Sequence, residues 1–197
     1  MGARDDGRNP AGRGHSVSAD ELVDVVDEND HVVAQATRRE VRAKNLRHRA
    51  VYILVFNSAG RLFVHRRTQH KDIFPSYWDV AAGGVVAAGE DYDDSARREL
   101  REELGVGDVR LRRLFPVRYE DETNRVSGMV YSCTCDGPFT LQASEIASSE
   151  WMDLDVLIER TQQHPFCPDG LEVLRLYLSK LDAARTARRQ GDRGKSV

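Results

Sequence analysis

Glu99, Glu102 and Glu103 stand at spacing i, i+3, i+4 within the run SARRELREELGV. On a helix, residues advance about 100° per position, so the three carboxylates converge on one arc. Like charges this close destabilise a helix unless something neutralises them. Ala96, Leu100 and Leu104 recur every four residues beside that arc and form an apolar stripe. Three carboxylates at the edge of a core suit a hard divalent cation, because Mg²⁺ and Mn²⁺ prefer oxygen ligands. Periodicity alone favours a second arrangement, a solvated acidic face paired with Arg98 and Arg101, since such faces are common.

The elements that must position this arc can be read on either side of it. Asp91 to Asp94 supply cap candidates and negative charge at the helix start, and Gly105 tolerates the left-handed turn that ends one. Upstream, ELVDVV and HVVAQAT flank Asp27-Glu28-Asn29-Asp30 and predict a hairpin. RREVRAKN predicts a short helix or turn. AVYILVF and RLFVHRR, joined by Asn57-Ser58-Ala59-Gly60, predict a second hairpin, and WDVAAGGVV is extended. Downstream, DVRLRRLFPVRYE, SGMVYSCTC and SSEWMDL predict strands, and LDVLIER a short helix. PDGLEVLRLYLSKLDAAR predicts a longer helix, with Asp169 and Glu172 spaced as a capping box and Leu171, Leu174, Leu176 and Leu178 as its buried stripe. Strands mixed with a few helices imply an α/β layered domain with a mixed sheet.

Written by position, the central run is Gly84, five residues, Glu90, seven residues, then Arg98-Glu99-Leu100-Arg101-Glu102-Glu103-Leu104-Gly105-Val106. This resembles the signature of the Nudix hydrolases at nine specified positions of a 23-residue window. The resemblance spans roughly residues 20 to 180. The order of LRHRAV, RLFVHRR, FPSYWDV, the signature and EW is similar to the branch near isopentenyl diphosphate isomerase. It implies an α/β/α sandwich that hydrolyses a nucleoside diphosphate linked to another moiety, by water attack on phosphorus, with Mg²⁺ or Mn²⁺ as cofactor. Carried over by position, Glu99, Glu102 and Glu103 would ligate metal, and Glu90 would be an outer ligand or a partner of Arg98. Arg98 would orient the carboxylates. Gly83 and Gly84 would bring backbone close to metal or phosphate. A glutamate after the signature often serves as general base or further ligand. Glu145 takes that place, and Glu150 is its rival. Arg66 or Arg67 could fork onto a phosphate, and Phe74, Tyr77 and Trp78 form an aromatic cluster.

The isomerase shares the fold but needs a catalytic cysteine and a metal-binding histidine after the tryptophan. The matching positions here are Gly83 and Val85. His48 matches another metal-binding histidine of the isomerase, and without its partner it reads as structural or as a weak substrate contact. Hydrolysis is therefore expected rather than isomerisation. A catalytically silent Nudix-like module is a third reading, disfavoured because such modules usually lose the glutamates.

Bulk properties bound the rest. The 197 residues suffice for one domain, and the 40% hydrophobic and 31% charged shares are those of a soluble globular chain. A formal charge of −3 offers no global basic field for nucleic acid. No run is apolar enough to span a bilayer, and the first twenty residues lack the apolar core of a signal peptide. Cys133, Cys135 and Cys167 are expected as free thiols in a reducing cytoplasm. The expected organisation is a disordered tail at 1–19, one domain at 20–182 and a basic flexible tail at 183–197. The expected partner is a small diphosphate, with neither membrane nor nucleic acid required, and the resemblance allows a homodimer.

Overall fold

The computed structural model describes residues 19–193, with side chains to 187. The N-terminal segment expected to be disordered, apart from Ala19, lies outside the described residues. The elements are β1 (Leu22–Val26), β2 (Val32–Thr37), α1 (Arg38–Lys44), β3 (His48–Phe56), β4 (Leu62–Arg67), β5 (Trp78–Asp79), α2 (Tyr92–Leu104), β6 (Arg112–Glu120), β7 (Arg125–Thr134), β8 (Ile146–Met152), α3 (Leu154–Thr161) and α4 (Pro168–Arg193). The strands form one mixed sheet of eight. β1 and β2 make the expected antiparallel hairpin, whose turn is closed by Asp27 accepting from the Asn29 and His31 backbone N–H groups.

β3 is the axis of the fold, and its period of two sorts side chains between two layers. Ala50, Tyr52 and Leu54 enter one core with Val64, Phe115, Val130 and the α4 residues Val173 and Leu174. Val51, Ile53 and Val55 enter the other with Phe63, Met129 and Ala96, Leu100 and Leu104 of α2. The sheet thus lies between helical layers, the α/β/α sandwich expected.

The second expected hairpin is corrected. Its turn forms, with the Asn57 N–H donating to Arg61 O and Gly60 N–H to Asn57 O. The strands pair only at Phe56↔Leu62 and then separate. β3 runs parallel to β7 along its whole length, whereas β4 pairs with β8 and β5. The edge that β4 vacates is taken by the segment 82–85. Val51 N–H donates to Gly84 O (2.9 Å), and Ile53 N–H donates to Ala82 O (2.7 Å). A strand edge must satisfy its N–H and C=O groups somewhere, and here a glycine segment of the signature does so. The divergence of β3 from β4 opens the space for a site.

The helix ends follow local chemistry. α1 carries a capping box between Thr37 and Glu40, and Asn45 ends it in the left-handed region. α2 is capped by Asp91, whose side chain accepts from the Asp94 N–H, and Gly105 terminates it at φ 69°. α4 departs from expectation at both ends. Pro168 occupies its first position, where a missing N–H costs nothing. Glu172 pairs with Arg175 (2.7 Å) instead of completing a capping box, and Asp169 is drawn away to Tyr52. Its backbone continues to Arg193, so 183–193 is helical where the sequence predicts a flexible tail. Alanine, arginine and glutamine are good helix formers, which carries the helix past its last core contacts.

Candidate active site

The site begins where the 82–85 segment crosses over α2. Gly83 has φ 144°, and a Cβ there would collide with Val51 O of β3. A Cβ on Gly84 would lie 2.7 Å from Glu99 Oε1. The two glycines therefore bring this segment against the strand on one side and the α2 carboxylates on the other. Gly83 N–H donates to Glu103 Oε2 (3.0 Å).

Arg98 organises the remaining carboxylates. Its Nε and Nη2 fork onto the two oxygens of Glu90 at 3.0 and 2.9 Å, and its Nη1 reaches Glu99 Oε1 (2.8 Å) and Glu102 Oε2 (3.2 Å). Burial lowers the guanidinium, but Glu90 and Glu99 together hold it well above its usual range. Burial also opposes the charge of Glu90, but Arg98 outweighs it and keeps that carboxyl below its ordinary value.

Glu99 and Glu103 are each 6% exposed. Burial pushes Glu99 up to about 7, against the pull of Arg98 and with a further push from Glu102. Burial and then the neighbouring Glu99 push Glu103 up to about 8, while Lys71 and the Gly83 N–H pull the other way. Glu145 adds a further push on Glu103, which places its carboxylate in the same electrostatic neighbourhood. Lys71 forms an ion pair with Glu145.

A cleft of about 250 Å³ opens in front of the glycines. Gly83, Gly84, Glu145 and Arg67 line it, with Glu99 and Glu103 directly behind. Glu102 lies on the more exposed outer side of α2 and Glu90 beneath Arg98, neither on the cleft wall. Arg66 is exposed and donates to Ser76 O, outside the cleft lining. Glu150 is held by both nitrogens of the Arg160 fork (2.9 and 3.0 Å), so Glu145 is the glutamate that faces the cleft. Trp78 is in the core, stacked with Phe166 beneath Arg160, while Phe74 and Tyr77 pack on each other outside the lining. His48 is buried but reaches the cleft wall.

The oxygen donors of Glu99, Glu102 and Glu103 suit a hard divalent cation. Two buried carboxylates, both raised by burial and Glu103 further by Glu99, are the feature a cation would relieve. As they stand, among the described residues, no three His, Cys, Asp or Glu side chains converge closely enough to hold an ion. Glu102 is engaged by Arg98 and Glu103 by the Gly83 N–H, so binding requires these contacts to loosen.

Sequence reasoning missed the far end of the cleft. Tyr52 OH donates to Asp169 Oδ2 (2.9 Å), and Asp79, Arg38, Arg42 and Asn124 line the same region. One signal was available: a tyrosine amid the aliphatic strand AVYILVF needs a partner for its hydroxyl.

The description NUDIX domain matches residues 46–177. The uncharacterized Nudix hydrolase PA4841 of Pseudomonas aeruginosa is 45% identical over 165 residues, covering 83% of this chain and 98% of that protein. The uncharacterized Nudix hydrolase YfcD of Escherichia coli is 41% identical over 164 residues, covering 83% and 90%. Among solved structures, DR0079 of Deinococcus radiodurans superposes with a TM-score of 0.71 at 32% identity, covering 79% of this chain and 98% of that one. The Nudix domain of Shewanella oneidensis NrtR, solved with ADP ribose, shares the fold at 18% identity and a TM-score of 0.54, covering 68% and 87%. With the signature glutamates, the sandwich and these relatives in agreement, the chain belongs to the Nudix hydrolase family, enzymes that hydrolyse diphosphates.

Proposed function

We propose that the enzyme cleaves the diphosphate of a nucleoside diphosphate linked to another moiety, by water attack on phosphorus and with Mg²⁺ or Mn²⁺. The observation that carries this reading is the burial of Glu99 and Glu103 against each other beneath Gly83 and Gly84, at the floor of a cleft that also presents Arg67 and Lys71. A divalent ion bound by Glu99, Glu102 and Glu103 would neutralise phosphate charge and acidify a water. Arg98 would keep the carboxylates oriented, since it already touches Glu90, Glu99 and Glu102 at once. Arg67 and Lys71 would attract the diphosphate into the cleft and offset its charge. Glu145 would accept a proton from the attacking water, with the Lys71 ion pair holding its carboxylate in position.

Among the described residues no helix is long and apolar enough to cross a membrane. The free thiols of Cys133, Cys135 and Cys167 fit a reducing cytoplasm. The deciding experiment is a screen of nucleotide sugars, dinucleotides, nucleoside di- and triphosphates and CoA esters with Mg²⁺ or Mn²⁺, scored for phosphate-containing products. Metal-dependent cleavage of at least one diphosphate that is lost in Glu103→Gln is expected. Full activity in EDTA, or in that variant, would overturn the reading.

A further inference from the structure

The end of the cleft away from the glutamates has a chemistry of its own. Asp169, in the first turn of α4, accepts from Tyr52 OH (2.9 Å) and from the Gly170 N–H (3.1 Å). Asp79 stands beside it with its side chain 13% exposed, bonded to the Val80 N–H (2.8 Å) and 3.7 Å from Arg67 Nη1. Arg42 reaches in from α1. Its Nη1 donates to Asn124 Oδ1 (3.1 Å), and it makes no ion pair among the described residues; burial and then the neighbouring Arg38 oppose its charge, which Asp72 and Asp169 partly offset. His48 is 2% exposed, and its Nδ1 is engaged by Leu46 O (3.0 Å). Its Nε2 takes no hydrogen bond from the described residues, and the ring lines the cleft. Apart from Arg67, none of these groups is needed to explain the glutamate site.

The mixture of charges selects a ligand class. A further phosphate brought here would meet Asp169 and Asp79, and an ammonium would meet Arg42 and Arg67. A neutral group escapes both repulsions. Among neutral groups, a hydroxyl can both donate to a carboxylate or to His48 Nε2 and accept from a guanidinium. An apolar chain would strip water from these carboxylates and the guanidinium while offering them no new partner, which is costly.

We propose that this end of the cleft is a specificity pocket for a neutral, hydroxyl-rich group attached to the diphosphate. Asp169 and His48 accept from its hydroxyls, Arg42 donates to them, and Tyr52 is the positioning residue that holds Asp169. The proposal rests on the cleft being a diphosphate site and names the kind of moiety on the far side of that diphosphate.

The test is equilibrium binding by calorimetry in EDTA, where turnover plays no part. The probes are ADP-ribose against ATP, and UDP-glucose against UTP and UDP-hexanolamine. Wild-type protein should bind at least one of the two sugar conjugates about tenfold or more tightly than its charged counterparts, the worth of a hydrogen bond to a charged group. Asp169→Asn should collapse that preference to within a few-fold while leaving the triphosphates unchanged or tighter. Tyr52→Phe removes only the hydroxyl and should erode the same preference. In turnover it should raise KM for the sugar conjugate at unchanged kcat. Melting curves report the folding of both variants, and Tyr52→Phe carries the test if Asp169→Asn does not fold. No preference for either sugar conjugate in wild type overturns the proposal. So does an equal loss for every probe in the folded variants, which would make Asp169 merely structural. Absence of any Mg²⁺- or Mn²⁺-dependent hydrolysis overturns the proposed reaction instead, since the binding preference is read independently of it.

Discussion

Raising the pH should destabilise this protein when no divalent metal is present, and the cause should be Glu99 and Glu103. Their folded-state values, about 7 and about 8, lie above the ordinary 4.5 of a glutamate. The folded state therefore holds more protons than the unfolded state across this interval, and stability falls as pH rises. The contribution is complete below about 4.5 and is lost as the pH climbs through 7 and 8. Each unit corresponds to about 1.4 kcal/mol, and protons leave the facing pair in two linked steps, so the loss is on the order of a few kcal/mol. For a chain of this size, about 2–4 °C accompanies each kcal/mol, so the melting temperature should drop by roughly 10 °C between pH 6 and 8.5 in EDTA. Mg²⁺ or Mn²⁺ should reverse the slope, because binding needs the deprotonated carboxylates and tightens as pH rises. A hundredfold excess over Kd adds roughly 2.7 kcal/mol. The assay is thermal melting across pH in EDTA, in saturating Mg²⁺ and in NaCl of equal ionic strength, for wild type and Glu103→Gln. The variant should show a flatter curve in EDTA and a smaller gain from metal. Stability that is level or rises from pH 6 to 8.5 without metal would refute the electrostatic argument. So would a decline that survives in Glu103→Gln, or a metal effect that NaCl reproduces in full.

Other outcomes are expected. Glu102→Gln should fold normally, since Glu102 is partly exposed, yet lose activity by at least about 10–100-fold at low Mg²⁺; unchanged turnover would remove it from the site. The protein should not interconvert isopentenyl and dimethylallyl diphosphate, as isotope exchange would show. The position needing the thiol is Gly83, where a Cβ would strike Val51 O, so Gly83→Cys should impair folding rather than create an isomerase. In acid, buried neutral His48 and His65, lowered to about 4 and about 3 chiefly by burial, contribute stability that is complete above 6.5 and is lost as pH falls toward those values. Over the same range Glu99 and Glu103 gain stability as pH falls, so the histidine loss is read as a difference: in denaturant titrations from pH 6.5 to 4, a folded His65→Gln variant should gain stability relative to wild type. Leu104→Ala should cost about 2–5 kcal/mol in the same measurement, because Leu104 is fully buried under α2.

Local chemistry was legible in the sequence wherever one segment supplies both partners. Asp91 and Gly105 bound α2 because a cap needs only a side-chain oxygen at one end and a left-handed residue at the other. The i, i+3, i+4 spacing placed three carboxylates on one side of that helix, and the period of two in β3 separated its two buried faces. The tertiary structure decided what those groups face. Helical spacing cannot distinguish Glu102, near the surface on Arg98, from Glu103, buried under Gly83, because that depends on where the 82–85 segment crosses. Nor could Asn57–Gly60 reveal that its two strands part after one pair, since β7, β8 and the glycine segment compete for their edges. Asp169 is the sharpest case. Its neighbours in sequence suggest a helix cap, but Tyr52, 117 positions away, claims its carboxylate. A buried hydroxyl must find an acceptor, and only the folded chain brings one within reach.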